Sequence, residues 1–256
     1  MCVASRSWYA QALVLSLSAF GEGHKSVTLF VRLQDEAFIL RAALFGGAQS
    51  KLRGLVIPYT TGRVWVYSNP RTRMHKIVDF SVTHSRVALR DSIVRVWCAA
   101  ICVDIIEASK GTISWTLVTA FLDGISLSSD GACKHALLRF LWRVLIGEGV
   151  APNITSCSRC ATQYAVSISG VSRVAYLTQG ESFVCAACAA PAEHRFELNA
   201  EAWHFLNTVR ECTPKHARTL VLSEESYCEL KRLLFCLITK MSGKKLKTLE
   251  HAHAVL

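Results

Sequence analysis

No uninterrupted apolar run in this 256-residue chain reaches the ~18 residues that a membrane-spanning helix needs. The richest stretch, residues 94–106, is broken by Arg95 and Asp104. Catalytic signatures are missing as well. There is no G-x-S-x-G elbow, no Walker loop to cradle phosphates, and no convincing pair of carboxylates. No His stands two positions before a Glu, which removes the zinc deaminases. The nine histidines are dispersed, only His251 and His253 lying close together, in a tail expected to fray. Nothing here reads as an active site, and the expectation is a protein that is not an enzyme. A disulfide framework is lacking too. The eleven cysteines are odd in number, and Cys98, Cys102, Cys133 and Cys236 sit in apolar helical sequence, where a thiol acts as a small hydrophobe. That usage fits a reducing compartment. Residues 8–20 fall short of an export signal, because Gln11, Ser16 and Ser18 interrupt them and no A-x-A-like site follows. A cytoplasmic location with no membrane partner is therefore expected. Internal repeats and low-complexity tracts are also absent.

What is present is a large apolar fraction and a basic surplus. Hydrophobic residues make up 51%, enough for a sizeable core, while only 19% are charged. The net charge is +10, which suits a polyanionic partner whose counterions are released on binding. Residues 1–80 hold ten Lys/Arg against four Asp/Glu, so +6 of the +10 lies in the first third.

That first third reads as short strands. Residues 25–33 alternate, with Val27, Leu29, Val31 and Leu33 on one side and Ser26, Thr28, Phe30 and Arg32 on the other. Residues 8–15, 37–44, 63–68 and 75–82 supply the other strands, separated by turn signals at 21–24, 34–36, 46–47 and 69–70. Five such strands fit a small closed barrel, and the OB-fold is the commonest that also binds nucleic acid. After Val82 the spacing changes to threes and fours, predicting helices over 84–109, 114–125 and 133–147, with a loop at 123–132 marked by two Asp-Gly pairs. Residues 157–188 return to strand-like composition, with room for a hairpin across Gly170 and Gly180, and helical periodicity resumes from 200 to 249. The expected class is α+β: an OB-fold domain over 1–82, then a helical domain over 83–256 carrying an inserted zinc-binding segment at 157–188.

The sharpest motif is Cys157-x-x-Cys160 followed by Cys185-x-x-Cys188. Two such pairs present four thiolates to one ion, and Zn²⁺ favours four soft ligands in a tetrahedron. Four protein thiolates leave no open position for water, so one structural zinc is expected. The competing reading is four unrelated thiols in a cysteine-rich chain. A second signal is cations among aromatics: Lys25, Arg32, Arg41, Lys51, Arg53, Arg63, Arg71, Arg73 and Lys76 beside Phe30, Phe45, Trp65 and Tyr67. A single-strand binder needs cations for phosphates and rings for bases. The cations as a set read as phosphate contacts, whereas Phe30 and Trp65 read as core. Lys244-Lys245-Leu246-Lys247 reads as a solubilising end to a terminal helix.

Put in order, these pieces resemble RecO, a family of bacterial recombination mediators. Residues 12–15, Phe20-Gly21-Glu22 and residues 27–30 are similar to the family's first hairpin, and residues 55–59 to its mid-barrel segment. Residues 137–152, running into the Cys157 pair, are similar to its helix, glycine turn, proline and zinc knuckle. Leu246-Lys247-Thr248 sits where members often carry a comparable terminal motif. The resemblance covers almost the whole chain and implies binding of single- and double-stranded DNA and annealing of complementary strands. It also implies partnership with RecR and with the acidic tail of single-strand-binding protein, which together help load RecA. One stretch departs: Phe45-Gly46-Gly47-Ala48-Gln49 is neutral where the family is basic, so the contacts expected there rest on Lys51, Arg53, Arg71 and Arg73. Two other classes fit the residues: a zinc-containing sequence-specific nucleic-acid regulator, and a protein–protein adaptor meeting an acidic peptide.

Overall fold

The structure is a computed structural model that describes residues 6–46, 50–164, 173–191, 193, 195–252 and 255–256. The chain divides into two compact units, residues 1–127 and 128–256.

The first unit opens with the expected closed barrel. Its strands are β1 (Ser7–Phe20), β2 (His24–Leu33), β3 (Glu36–Leu44), β4 (Thr61–Asn69) and β5 (Met74–His84), in the order β1-β2-β3-β5-β4, with β4 returning to β1. Four pairings are antiparallel and β3–β5 is parallel, the arrangement of an OB-fold. Period-two alternation fills the barrel: Ala10, Ala12, Val14, Val27, Leu29, Val31, Leu40, Ala42, Val64, Val66, Ile77 and Phe80 all point inward and are buried. Gly62 is dictated by close approach, since a Cβ there would lie 2.4 Å from the Ser81 carbonyl oxygen. β1 runs five residues beyond the expected 8–15, because a bulge at Val14/Ser16 restores pairing of Leu17–Phe20 with β2. A one-turn helix, α1 (Lys51–Leu55), joins β3 to β4, where no periodicity in the sequence marks an element.

The helix expected over 84–109 starts later. β5 continues to His84 and a 3₁₀ turn follows at Val87–Asp91. Ser92 then caps α2 (Ile93–Ala108), accepting from the Val94 and Arg95 amides. α2 ends in a Schellman turn, with Gly111 N–H on Ile106 O at 3.0 Å and Lys110 N–H on Glu107 O at 3.3 Å. Gly111 has φ +84 and a Cβ there would stand 3.0 Å from Phe38 Cα, so this turn packs directly on β3. α3 (Trp115–Ser126) contains Asp123-Gly124, which the sequence placed in a loop. The reason is Arg86. Its buried guanidinium bonds Asp123 Oδ1 at 2.7 Å, Tyr59 O at 2.8 Å and Thr61 Oγ1 at 2.7 Å, holding Asp123 on the helix against the barrel. The second pair, Asp130-Gly131, opens the next helix, where an acidic first turn suits the helix dipole. The loop shrinks to Leu127–Ser129.

In the second unit α4 (Asp130–Gly147) precedes the strands β6 (Arg173–Leu177), β7 (Ser182–Cys185) and β8 (Arg195–Asn199), paired in the order β7-β6-β8. β6 and β7 form a hairpin turning at Gly180; Gly170 lies outside the described residues. Then come α5 (Ala200–Glu211), α6 (Pro214–Ala217), α7 (Glu224–Ser242) and α8 (Lys247–Ala252). Leu137, Leu141, Trp142, Leu206, Leu230 and Leu234 form the shared core of α4, α5 and α7, and the Trp142 indole donates to Leu206 O at 3.0 Å. The C-terminal tail differs from expectation. α8 reaches Ala252, Leu256 is buried and Lys231 donates to its carbonyl, so the last apolar side chain anchors the tail; His253 lies outside the described residues.

Candidate metal centre and basic barrel surface

The cysteine pairs come together because two hairpin-like knuckles face each other. In the first, Ser156 bridges Gln163, the Cys157 amide donates to Thr162 O at 2.9 Å, and the Ala161 amide donates to Cys157 O at 3.0 Å. Ala161 takes φ +58, a left-handed position that turns the chain after Cys160. In the second, β7 ends at Cys185 and a 3₁₀ turn at Ala186–Cys188 brings the next thiol round. The knuckles are joined by Ser158 N–H on Phe183 O at 2.9 Å and by Ser158 and Ser182 hydroxyls 3.0 Å apart. The Arg159 guanidinium reaches across as well, donating to Cys188 O and pairing with Glu193. Beneath them Trp203 donates to Ile154 O at 2.9 Å and its ring meets Tyr164 edge-on at 6.2 Å.

The result is four Sγ atoms, of Cys157, Cys160, Cys185 and Cys188, all within 4.8 Å of one another. Cys157 is buried, Cys160 exposed, and the other two intermediate. Burial pushes the Cys157 thiol up, but the amide N–H groups of Cys160, Cys185 and Arg159 outweigh it and bring it to about 6. The Thr162 hydroxyl and amide lower Cys160. Cys188 is pushed up to about 12, first by its bonds to Cys185 and Cys160. The same crowding of sulfurs, after burial, raises the Tyr164 phenol. Such a cluster favours anionic sulfur at its base yet resists full ionisation, and a bound cation relieves that conflict. These four residues could hold a metal ion.

The candidate DNA contacts fall into separate groups. Lys25, Arg53 and Lys76 share one end of the barrel. There the Lys76 ammonium lies 5.4 Å from the Phe45 ring centroid, His24 meets that ring at 4.8 Å, and Arg53 donates to Gly23 O. Lys51 opens α1 and is exposed. Arg71 and Arg73 are exposed at the tip of the β4–β5 hairpin, and Arg41 is exposed on β3. Arg32 stands apart at the far end of β2, in a groove with Tyr9, Gln11 and Arg63. Of the neutral stretch after β3, residues 47–49 lie outside the described residues. The aromatics split. Phe30 is core, fully buried against Trp115 at 5.3 Å, whereas Trp65 is only half-buried and faces outward beside Tyr9 at 6.4 Å. Tyr9 is the exposed ring that the sequence reading passed over; its signal was its odd position opposite the inward Ala10 and Ala12.

An OB-fold barrel with α1, α2 and α3, followed by a second unit of helices and a three-stranded sheet bearing a four-cysteine knuckle, defines the class of scaffold. The comparisons narrow the class. A family model described as "Recombination protein O C terminal" matches residues 115–250, which is 136 of 256 residues. The chain belongs to the recombination protein O (RecO) family. It is similar to the "DNA repair protein RecO" of Desulforamulus reducens, with 22% identity over 243 residues, covering 93% of this chain and 91% of that protein. Among the described residues, no helix is long and apolar enough to cross a membrane.

Proposed function

We propose that this protein acts in DNA repair as a recombination mediator. It binds single- and double-stranded DNA through the cationic barrel, anneals complementary strands, and helps load recombinase onto DNA coated by single-strand-binding protein. The observation that carries the reading is the placement of cations on strands and hairpin ends of an OB-fold in a chain of the RecO family. Two strands repel through their phosphates, and a surface that holds both lowers that barrier with no bond made or broken. Partnership with RecR and with the acidic tail of single-strand-binding protein, and through them with RecA, belongs to the same reading.

The metal is zinc, held by Cys157, Cys160, Cys185 and Cys188. A zinc–sulfur bond of about 2.3 Å gives a tetrahedron with edges of about 3.8 Å. The Cys160 and Cys185 sulfurs stand 3.8 Å apart, so the knuckles are spaced for such an ion. Four thiolates complete its coordination, and its contribution is to the folding of the knuckles.

The test is annealing of two complementary oligonucleotides, one labelled, across a salt series, with zinc measured on the same sample. Salt-sensitive acceleration with about one zinc per chain is expected from a phosphate-contacting surface and a single knuckle. Zinc without DNA binding or annealing would overturn the mediator reading.

A further inference from the structure

In barrels of this topology, oligonucleotides commonly lie over the outer face of the second and third strands. Here that face is partly occupied from within the same unit. Phe30, outward on β2, is fully buried against Trp115 of α3, and the Gly111 turn sits on Phe38 and Ile39 of β3. The outer face is left open where the start of β1, at Tyr9 and Gln11, pairs with β4 at Arg63 and Trp65; farther along β1 the outward Leu13 is fully buried. Strand register places Gln11 opposite both Arg32 and Arg63, and Tyr9 opposite Trp65. These side chains point outward because their neighbours Ala10, Ala12, Val64 and Val66 point in. The Arg63 guanidinium lies 5.5 Å over the Tyr9 ring, and even so Tyr9 is 60% exposed. Its centroid is 6.4 Å from that of Trp65, the planes tilted by 39°. Beside it runs an open groove of about 670 Å³ lined by Tyr9, Gln11, Arg32, Gln34 and Arg63 among others. The acid opposite Trp65 on β5 is Asp79, whose carboxylate accepts from the Phe80 amide at 2.8 Å.

An exposed ring, a second ring beside it and two flanking guanidinium groups are what an unpaired base and its phosphates require. A double helix keeps its bases stacked on each other and offers no free face to such a ring. We propose that Tyr9, with Trp65 and Arg63, is a stacking platform for an unpaired base of single-stranded DNA, with Arg32 and Arg63 contacting the adjoining phosphates. The proposal rests on the DNA-binding reading above and adds where, and on which strand state, the barrel acts.

The test uses the full chain and three labelled probes of equal length: oligo-dT, an abasic deoxyribose-phosphate oligomer, and a blunt duplex. Loss of one base stack corresponds to a weakening of about 5- to 150-fold. Tyr9→Ala is therefore expected to weaken oligo-dT by that factor at an unchanged salt slope, while its affinity for the abasic oligomer and the duplex stays at wild-type level. Tyr9→Phe, which keeps the ring, should restore oligo-dT binding. If wild type binds oligo-dT and Tyr9→Ala binds it equally tightly, or loses the abasic oligomer to the same extent, the platform is wrong and the DNA-binding reading stands. If wild type binds none of the probes, both fall.

Discussion

Arg71 and Arg73 offer the most direct measurement of how the barrel meets phosphate. Both are exposed at the β4–β5 tip, and the turn keeps its shape without their guanidinium groups. Asn69 Oδ1 accepts from the Arg71 amide at 3.0 Å and from the Thr72 amide at 3.4 Å. Replacing both (Arg71→Gln with Arg73→Gln) removes two charges and leaves those bonds in place. Each phosphate contact on a single strand contributes about 0.7 to the slope of log affinity against log salt, so two contribute about 1.4. Between 50 and 200 mM salt, a fourfold change, wild type should then lose about sevenfold more affinity than the variant. The assay is fluorescence polarisation of labelled oligo-dT at four or five salt concentrations. Lys244→Gln with Lys245→Gln takes the net charge from +10 to the same +8, by subtraction of two charges far along the chain, and should leave the slope unchanged. An unchanged slope in the Arg variant would refute phosphate contact at this tip. An equal fall in both variants would show that net charge, and no local contact, sets the salt dependence.

The knuckle and the second unit give two further expectations. Cys160→Ser should take bound zinc from about one per chain to none and lower the melting temperature, because formation of such a site is coupled to folding; a metal-free variant that melts like wild type would remove the structural role. In the second unit, burial would push the Glu201 carboxyl up, but the Ser223 and Ser226 hydroxyls and the Ser223 amide outweigh it and hold it below its ordinary value of 4.5. A depressed carboxylate stabilises the fold above its unfolded pKa, and the contribution is lost as pH falls through the lower folded value. Glu201→Gln should therefore cost about 1 kcal/mol at neutral pH, screening included, and flatten the melting profile below about pH 4.5. Parallel pH profiles for the two proteins would count against this assignment.

Much of the fold was legible because period-two alternation and glycine-bearing turns mark each strand locally. The errors came where a distant partner decides. Asp123-Gly124 reads as a turn until Arg86 takes the carboxylate, and the tail reads as frayed until Leu256 finds the core. The cysteine pairs were legible as a motif, since two short loops fix where four sulfurs point; that they face one another depends on the β6–β7 hairpin. The cations were legible only as a set. Phe30 and Tyr9 are both aromatic and both outward, and alternation cannot tell which outward face a later helix covers. That distinction is tertiary, and it decides which ring is core and which is open.

The Gly111 turn carries a genetic consequence. It lies where a Cβ would meet the backbone of Phe38 and Ile39, so any side chain at this position lifts the end of α2 from β3 and strains the placement of Trp115 over Phe30. An allele at 111 would thus act on the barrel's outer wall without altering a single strand residue. Because the atoms met are backbone, smaller side chains at 38 or 39 would not relieve it, and compensation would have to come from a shift of the turn itself.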